Sequence, residues 1–116
     1  VLKELLDQDP SIKKVWVIGP SIMMKVACAT SKPYPVEIVV SLNSIMVDGT
    51  GMCGSCRVTI GKESKFACTD GPEFDGQLVD WTEFMHRLSR YQDAEKRSLD
   101  LYHQPTHPCR CGKETN

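Results

Sequence analysis

Asp48-Gly-Thr-Gly-Met-Cys53-Gly-Ser-Cys56-Arg-Val-Thr-Ile60-Gly-Lys-Glu-Ser-Lys-Phe66-Ala-Cys68 is the stretch on which the fold of this chain turns. Its first part carries Gly49, Gly51 and Gly54, the mark of a loop that needs unusual backbone angles or close approach to another group. Residues 57–60 and 64–67 are β-rich and Gly61-Lys62 lies between them, which predicts a hairpin. A hairpin returns its end to its beginning. Cys68 is therefore expected beside the Cys53/Cys56 pair, with three thiols gathered at one end of a small β unit.

Upstream, residues 1–9 read as a helix, with Leu2, Leu5 and Leu6 on one face and Pro10 as its stop. Val15-Trp-Val-Ile18 is a continuous apolar run ended by Gly19-Pro20, which predicts a strand buried on both faces, as in a parallel sheet. Residues 21–29 have helical spacing, with Ile22, Val26 and Ala29 on one side, until Lys32-Pro33-Tyr34-Pro35 breaks it. Residues 36–40 are a second β-rich run. Helix, strand, helix, strand is the rhythm of a doubly wound α/β sheet. Two parallel strands do not make a stable sheet by themselves, so the rest of that sheet is expected before Val1, and the chain is expected to be a piece of a longer protein.

Downstream, Asp70-Gly71-Pro72 and Asp75-Gly76 read as turns. Asp80 with Glu83 three positions on is a capping-box pattern that opens a helix. Trp81, Phe84, Leu88 and Tyr91 mark its buried face, and from Ser98 onward the sequence is polar.

The chain has 116 residues, enough for one small domain, and a net charge of −1, which gives no electrostatic case for nucleic acid or for an anionic membrane surface. Its apolar runs are too short to span a bilayer, and no signal peptide is visible. Six cysteines, Cys28, Cys53, Cys56, Cys68, Cys109 and Cys111, would allow three disulfides in a secreted domain. Cys-x-x-Cys at Cys53 and Cys56 suits a metal better than a staple, so a reducing compartment, the cytoplasm, is expected.

The plant-type [2Fe–2S] pattern is Cys-x4-Cys-x2-Cys and then a distant Cys. Laid on this chain, its last three ligands fall on Cys53, Cys56 and Cys68, and its first on Asp48. The glycines let backbone N–H groups point inward at a negatively charged core, and ferric iron accepts a carboxylate oxygen as well as thiolates. Three other readings stand beside this one: a redox dithiol, a structural zinc held by three Cys and an Asp, and unligated thiols. For the fourth ligand, Asp48 competes with Asp70 and Ser55. Cys28, on a helix among Val26, Ala27 and Ala29, reads as a buried inert thiol. Arg57 either tempers the charge of the site or is a solvated strand residue. His103, His107, Cys109 and Cys111 offer four potential zinc ligands at a cramped spacing, and a tail that docks on a partner is the preferred reading.

Gly19-Pro20-Ser-Ile-Met23-Met24 resembles the Gly-Pro-x-x-Met-Met loop that ends the nucleotide domain of ferredoxin–NADP reductase-like proteins. Asp48 to Arg57 and Phe66-Ala-Cys-Thr-Asp-Gly-Pro-Glu-Phe-Asp75 resemble the C-terminal cluster segment of one branch of that family. The branch comprises the small FAD/[2Fe–2S] subunits of NADH-dependent reduced ferredoxin:NADP⁺ oxidoreductase, also known as sulfide dehydrogenase. The electron-transfer subunit of dihydroorotate dehydrogenase is a cousin with four cysteines at its cluster.

The resemblance, which covers residues 1–88, implies an α/β fold. The chain would be the C-terminal half of a ferredoxin reductase-like, Rossmann-like nucleotide-binding domain (residues 1–42), a cluster-binding β-hairpin segment (43–79), and a C-terminal helix with a polar tail (80–116). It implies Asp48, Cys53, Cys56 and Cys68 as ligands, and Gly19, Pro20 and Met23 along a nicotinamide or flavin edge. FAD and NAD(P)H are implied for the full-length subunit, with a large glutamate-synthase-like flavoprotein subunit as partner and ferredoxin as an indirect one. The expected function is an electron relay within an oxidoreductase complex, with this chain not catalytically complete by itself. The rivals are a zinc-stabilised docking module and a dihydroorotate dehydrogenase electron-transfer subunit.

Overall fold

The structure, a computed structural model, describes residues 1–103. The two β-rich runs form strands β1 (Lys14–Ile18) and β2 (Glu37–Ser41), paired in parallel with Ile18 opposite Ser41. A parallel pair needs a crossover between its strands, and the helix after the Gly19-Pro20 turn, α2 (Ser21–Ser31), supplies it. α1 (Leu2–Gln8) precedes them and ends as Asp9 turns extended, one residue before Pro10. Of its three leucines Leu6 is buried, while Leu5 is half exposed.

β3 (Arg57–Ile60) and β4 (Glu63–Phe66) form the expected hairpin on Gly61-Lys62, with Ile60 opposite Glu63. Val17, Met24, Cys28, Ile38 and Val40 from the α/β part and Val58, Val79 and Phe84 from the rest share one hydrophobic core. The hairpin is thus fixed to the sheet by common packing.

Two features of the sheet differ from the sequence reading. Between the turns at 70–72 and 75–76 a short strand, β5 (Glu73–Asp75), runs antiparallel to β2 with Phe74 opposite Val40, giving a sheet of order β1-β2-β5. Gly76 explains how it closes: a Cβ there would lie 2.5 Å from the Cys28 Sγ and 2.9 Å from Val40 Cγ1, so bare backbone presses on the core. β1, in turn, is buried at Val17 only, while Trp16 and Ile18 are 56% and 69% exposed. It pairs on one side among the described residues, so its apolar run alternates in burial as an edge strand does. Lys14 partly covers Trp16, lying 5.0 Å above the ring while pairing with Glu37 at 2.8 Å.

Helix α3 (Trp81–Leu88) starts as predicted. The Asp80 carboxylate accepts from the N–H groups of Thr82 and Glu83 at 3.0 and 2.9 Å. Phe84 is buried, Trp81 and Leu88 pack beside it, and Trp81 Nε1–H donates to the Gly76 carbonyl at 3.1 Å. α3 ends at Leu88 and gives way to the 3₁₀ turn Ser89–Tyr91, and Tyr91 at its end is exposed, so it does not extend the buried face. α4 (Gln92–Tyr102) follows with no buried residue. Among the described residues no helix is long and apolar enough to cross a membrane.

Asp80→Ala is expected to cost about 1 kcal/mol of stability by orphaning two N–H groups, read as a lower urea midpoint at unchanged slope.

Candidate metal centre

The hairpin determines where two of the cysteines meet. Arg57 pairs with Phe66, and the Ala67 N–H donates to the Cys56 carbonyl at 3.2 Å, so the ladder runs one bond beyond the strands. That extra bond brings Cys56 Sγ to 3.3 Å from Cys68 Sγ. Cys56 is buried, Cys68 half-buried and Cys53 exposed.

The loop that carries Asp48 and Cys53 leaves β2 at the carboxyl end of the parallel pair. It is tethered there twice. The Leu42 N–H donates to the Pro72 carbonyl at 2.9 Å, and the Ser21 hydroxyl at the start of α2 donates to Asn43 Oδ1 at 2.8 Å. Further on, the Thr50 N–H donates to Asp48 Oδ1 at 2.9 Å. That bond lowers the Asp48 carboxyl from its ordinary range; slight burial opposes it, and the Cys53 thiol and N–H add to the lowering. Gly51 sits between Asp48 and Cys53 in sequence at φ +82°, and a Cβ on it would stand 3.1 Å from Thr69 Cγ2. The loop thus passes close over the residue that follows Cys68, and only glycine meets both demands.

Of the competing ligand candidates, Asp70 has one carboxylate oxygen engaged elsewhere, and Ser55 is held by its backbone. Asp70 Oδ2 accepts the Phe66 N–H at 2.7 Å and closes the turn after β4. Ser55 presents its carbonyl to Arg87, whose Nη2 donates to Gly54 O at 3.0 Å and to Ser55 O at 3.4 Å. Arg87 was not singled out by the sequence, since it belongs to no motif and stands in the last turn of an amphipathic helix. Arg57, which was singled out, is exposed on β3.

Cys56 and Cys68 thus form a donor pair, and Asp48 and Cys53 share the loop that precedes it. Among the described residues no three His, Cys, Asp or Glu side chains converge on one ion position. A structural zinc needs four ligands about a single point, whereas a two-iron core takes two from the protein at each iron. The Cys56 and Cys68 sulfurs at 3.3 Å are close enough to be the two thiolates on one iron. The Cys56 thiol beside Cys68 pushes the Cys68 thiol up, a conflict that a cation bound between them removes.

Gly19 and Pro20 form the turn from β1 into α2 and Met23 stands in the first turn of that helix, at the same carboxyl edge from which the loop of residues 42–56 departs. Pro20 caps α2 and Met23 is 44% exposed. In open α/β sheets ligands bind along this edge. His103 follows α4, while His107, Cys109 and Cys111 lie outside the described residues.

Cys28 is buried in the core as expected, and burial, reinforced by the Asp75 carboxylate, pushes its thiol up to about 11 from 9.0. Iodoacetamide is expected to spare Cys28 in the folded chain at neutral pH and to label it on unfolding. The unfolded thiol ionises first, so this group's contribution to stability is whole below pH 9.0 and fades as the pH climbs toward about 11.

Residues 43–80 match the iron–sulfur cluster binding domain of dihydroorotate dehydrogenase B. A Thermotoga maritima protein, the homolog of the dihydroorotate dehydrogenase B (NAD(+)) electron transfer subunit, is 54% identical over 87 residues, which are 75% of this chain and 31% of that protein. A Clostridium beijerinckii protein named for its place in the adh 3′ region is 50% identical over 109 residues, 92% of this chain and 37% of its own. A chain from the solved structure of NADH-dependent reduced ferredoxin–NADP oxidoreductase, studied for flavin-based electron bifurcation, superposes with a TM-score of 0.72 at 51% identity. The match covers 79% of this chain and 33% of that one. The chain spans about a third of the length of these relatives.

Proposed function

Because residues 43–80 belong to the iron–sulfur cluster binding domain family of dihydroorotate dehydrogenase B, and the chain is related to electron-transfer subunits along most of its length, we propose that Asp48, Cys53, Cys56 and Cys68 hold one [2Fe–2S] cluster. The chain would then serve as the relay segment of an oxidoreductase subunit. Bound there, the cluster supplies one-electron transfer. The chain's own residues fix where that transfer happens. Cys56 buries one end of the site, and Cys53 keeps the other at the surface. The single observation that carries the reading is the 3.3 Å approach of Cys56 and Cys68 across the hairpin end.

The cluster site and the Gly19–Pro20–Met23 turn share the carboxyl edge of the parallel strands. This common edge supports an electron path between the cluster and a flavin or nicotinamide bordered by that turn, with FAD and NAD(P)H as cofactors of the full-length subunit. A large glutamate-synthase-like flavoprotein subunit would be the other terminus, and ferredoxin an indirect partner. A carboxylate in the first ligand position favours the ferredoxin:NADP⁺ type of complex. The name of the Thermotoga maritima relative favours a dihydroorotate-oxidising one.

Reduction of the anaerobically prepared chain with dithionite is expected to give an EPR signal of about one spin per chain, as a [2Fe–2S] centre gives on one-electron reduction. An EPR-silent, zinc-containing chain contradicts the reading. In the full complex, NADH-dependent reduction of NADP⁺ with reduced ferredoxin, and no oxidation of dihydroorotate, would favour the first type over the second.

A further inference from the structure

We propose that Arg87 is a positioning residue for this centre: its guanidinium clamps the backbone between Cys53 and Cys56 and sets beside them an uncompensated positive charge that raises the cluster's reduction potential. The inference rests on the cluster assignment above. The two carbonyls that Arg87 holds, Gly54 O at 3.0 Å and Ser55 O at 3.4 Å, belong to the only two residues separating Cys53 from Cys56 in sequence. In a trans peptide the N–H points opposite to the C=O, so one nitrogen gripping adjacent carbonyls turns the N–H groups of Ser55 and Cys56 away from itself and fixes both peptide planes. The clamp is itself anchored. Arg87 stands on α3, one turn after Phe84, which is 2% exposed in the shared core.

The charge is the second half of the inference. None of the ion pairs among the described residues involves Arg87. Among the described residues its Nε is buried without a partner, as is Ser44 Oγ, and both residues line one small recess beside Phe84 and Leu88. A half-buried guanidinium without a carboxylate is an arrangement that proteins seldom keep, since burying a charge is costly unless something answers it. A core of two irons and two sulfides with three thiolates and a carboxylate is net negative, and reduction adds one more negative charge. A fixed positive charge therefore favours the reduced form. Arg stays protonated at any working pH, so the bias does not titrate away.

The test compares wild-type chain, Arg87→Gln and Arg87→Lys, each loaded with the cluster anaerobically and titrated electrochemically with EPR detection. Arg87→Gln is expected to lower the reduced-to-oxidised ratio about tenfold at fixed ambient potential, a shift of about 59 mV for a one-electron couple. Arg87→Lys, which keeps the charge and loses the planar fork, is expected to recover most of that shift. In the cluster-free chain, amide exchange at Ser55 and Cys56 is expected to speed up in both variants. Equal potentials in all three loaded proteins overturn the inference and leave the cluster reading standing. A wild-type chain that takes up neither iron nor sulfide defeats both together. Loss of the cluster from both variants also overturns the proposed charge effect, because Lys retains the charge; Arg87→Lys loaded at wild-type potential beside a cluster-free Arg87→Gln supports it.

Discussion

Cys68→Ala should strip the chain of its metal while leaving its fold in place. Cys68 lies just beyond β4, half-buried, outside the shared hydrophobic core. Removing its sulfur should change the stability of the cluster-free chain by no more than about 0.5–1 kcal/mol, since surface-side substitutions away from packing are small. Its effect on the metal is of another order. The loss takes one member of the closest donor pair, Cys56 Sγ and Cys68 Sγ at 3.3 Å, and leaves the buried Cys56 to hold an iron alone. Loss of a mere outer-shell partner costs about 10–100-fold in metal affinity, so loss of a direct ligand is expected to cost at least that much. Iron and acid-labile sulfide per chain, measured beside an unchanged far-UV spectrum, separate the two effects. Full iron in folded Cys68→Ala would show that Cys68 is not a ligand.

Asp48 yields the second large effect, in two variants with opposite expectations. Asp48→Cys replaces a hard carboxylate with a thiolate at the same loop position. It should keep the cluster while changing both its absorption spectrum and its potential, because thiolate donates more charge to iron than carboxylate. Asp48→Ala removes the donor and, with it, the acceptor for the Thr50 N–H. It should lower iron retention at least about tenfold on the same reasoning as for Cys68. The pair of variants discriminates ligand from loop brace. A brace alone would lose its Thr50 bond in both variants and leave the spectrum of any retained cluster unchanged. An unaltered spectrum and potential in Asp48→Ala would take Asp48 out of the ligand set and reopen the position to another oxygen donor.

The hairpin, its Gly61-Lys62 turn and the return of Cys68 to Cys56 could be read directly, because each depends on residues close together in sequence and on strong local signals. The Asp80 cap was legible for the same reason. What escaped was set by tertiary contact. β5 is three residues long, too short for any periodicity, and exists because β2 has an edge to pair and Gly76 lets the backbone reach Cys28. The burial expected for Trp16 and Ile18 assumed neighbours on both sides of β1, and the described residues supply one. Tyr91 was placed on the face of Phe84 by a period of 3.6 that the 3₁₀ turn at Ser89 interrupts. The site divides in the same way. Asp48, Cys53, Cys56 and Cys68 announce themselves by spacing, whereas Arg87 reaches Gly54 from more than thirty positions away and carries no local signal.

The most direct measurement of the central claim is a determination of iron, zinc and acid-labile sulfide on the chain purified without exposure to oxygen. A binuclear core held by Asp48, Cys53, Cys56 and Cys68 predicts about two irons and about two sulfides per chain, with zinc near zero. One zinc per chain and no sulfide would contradict it.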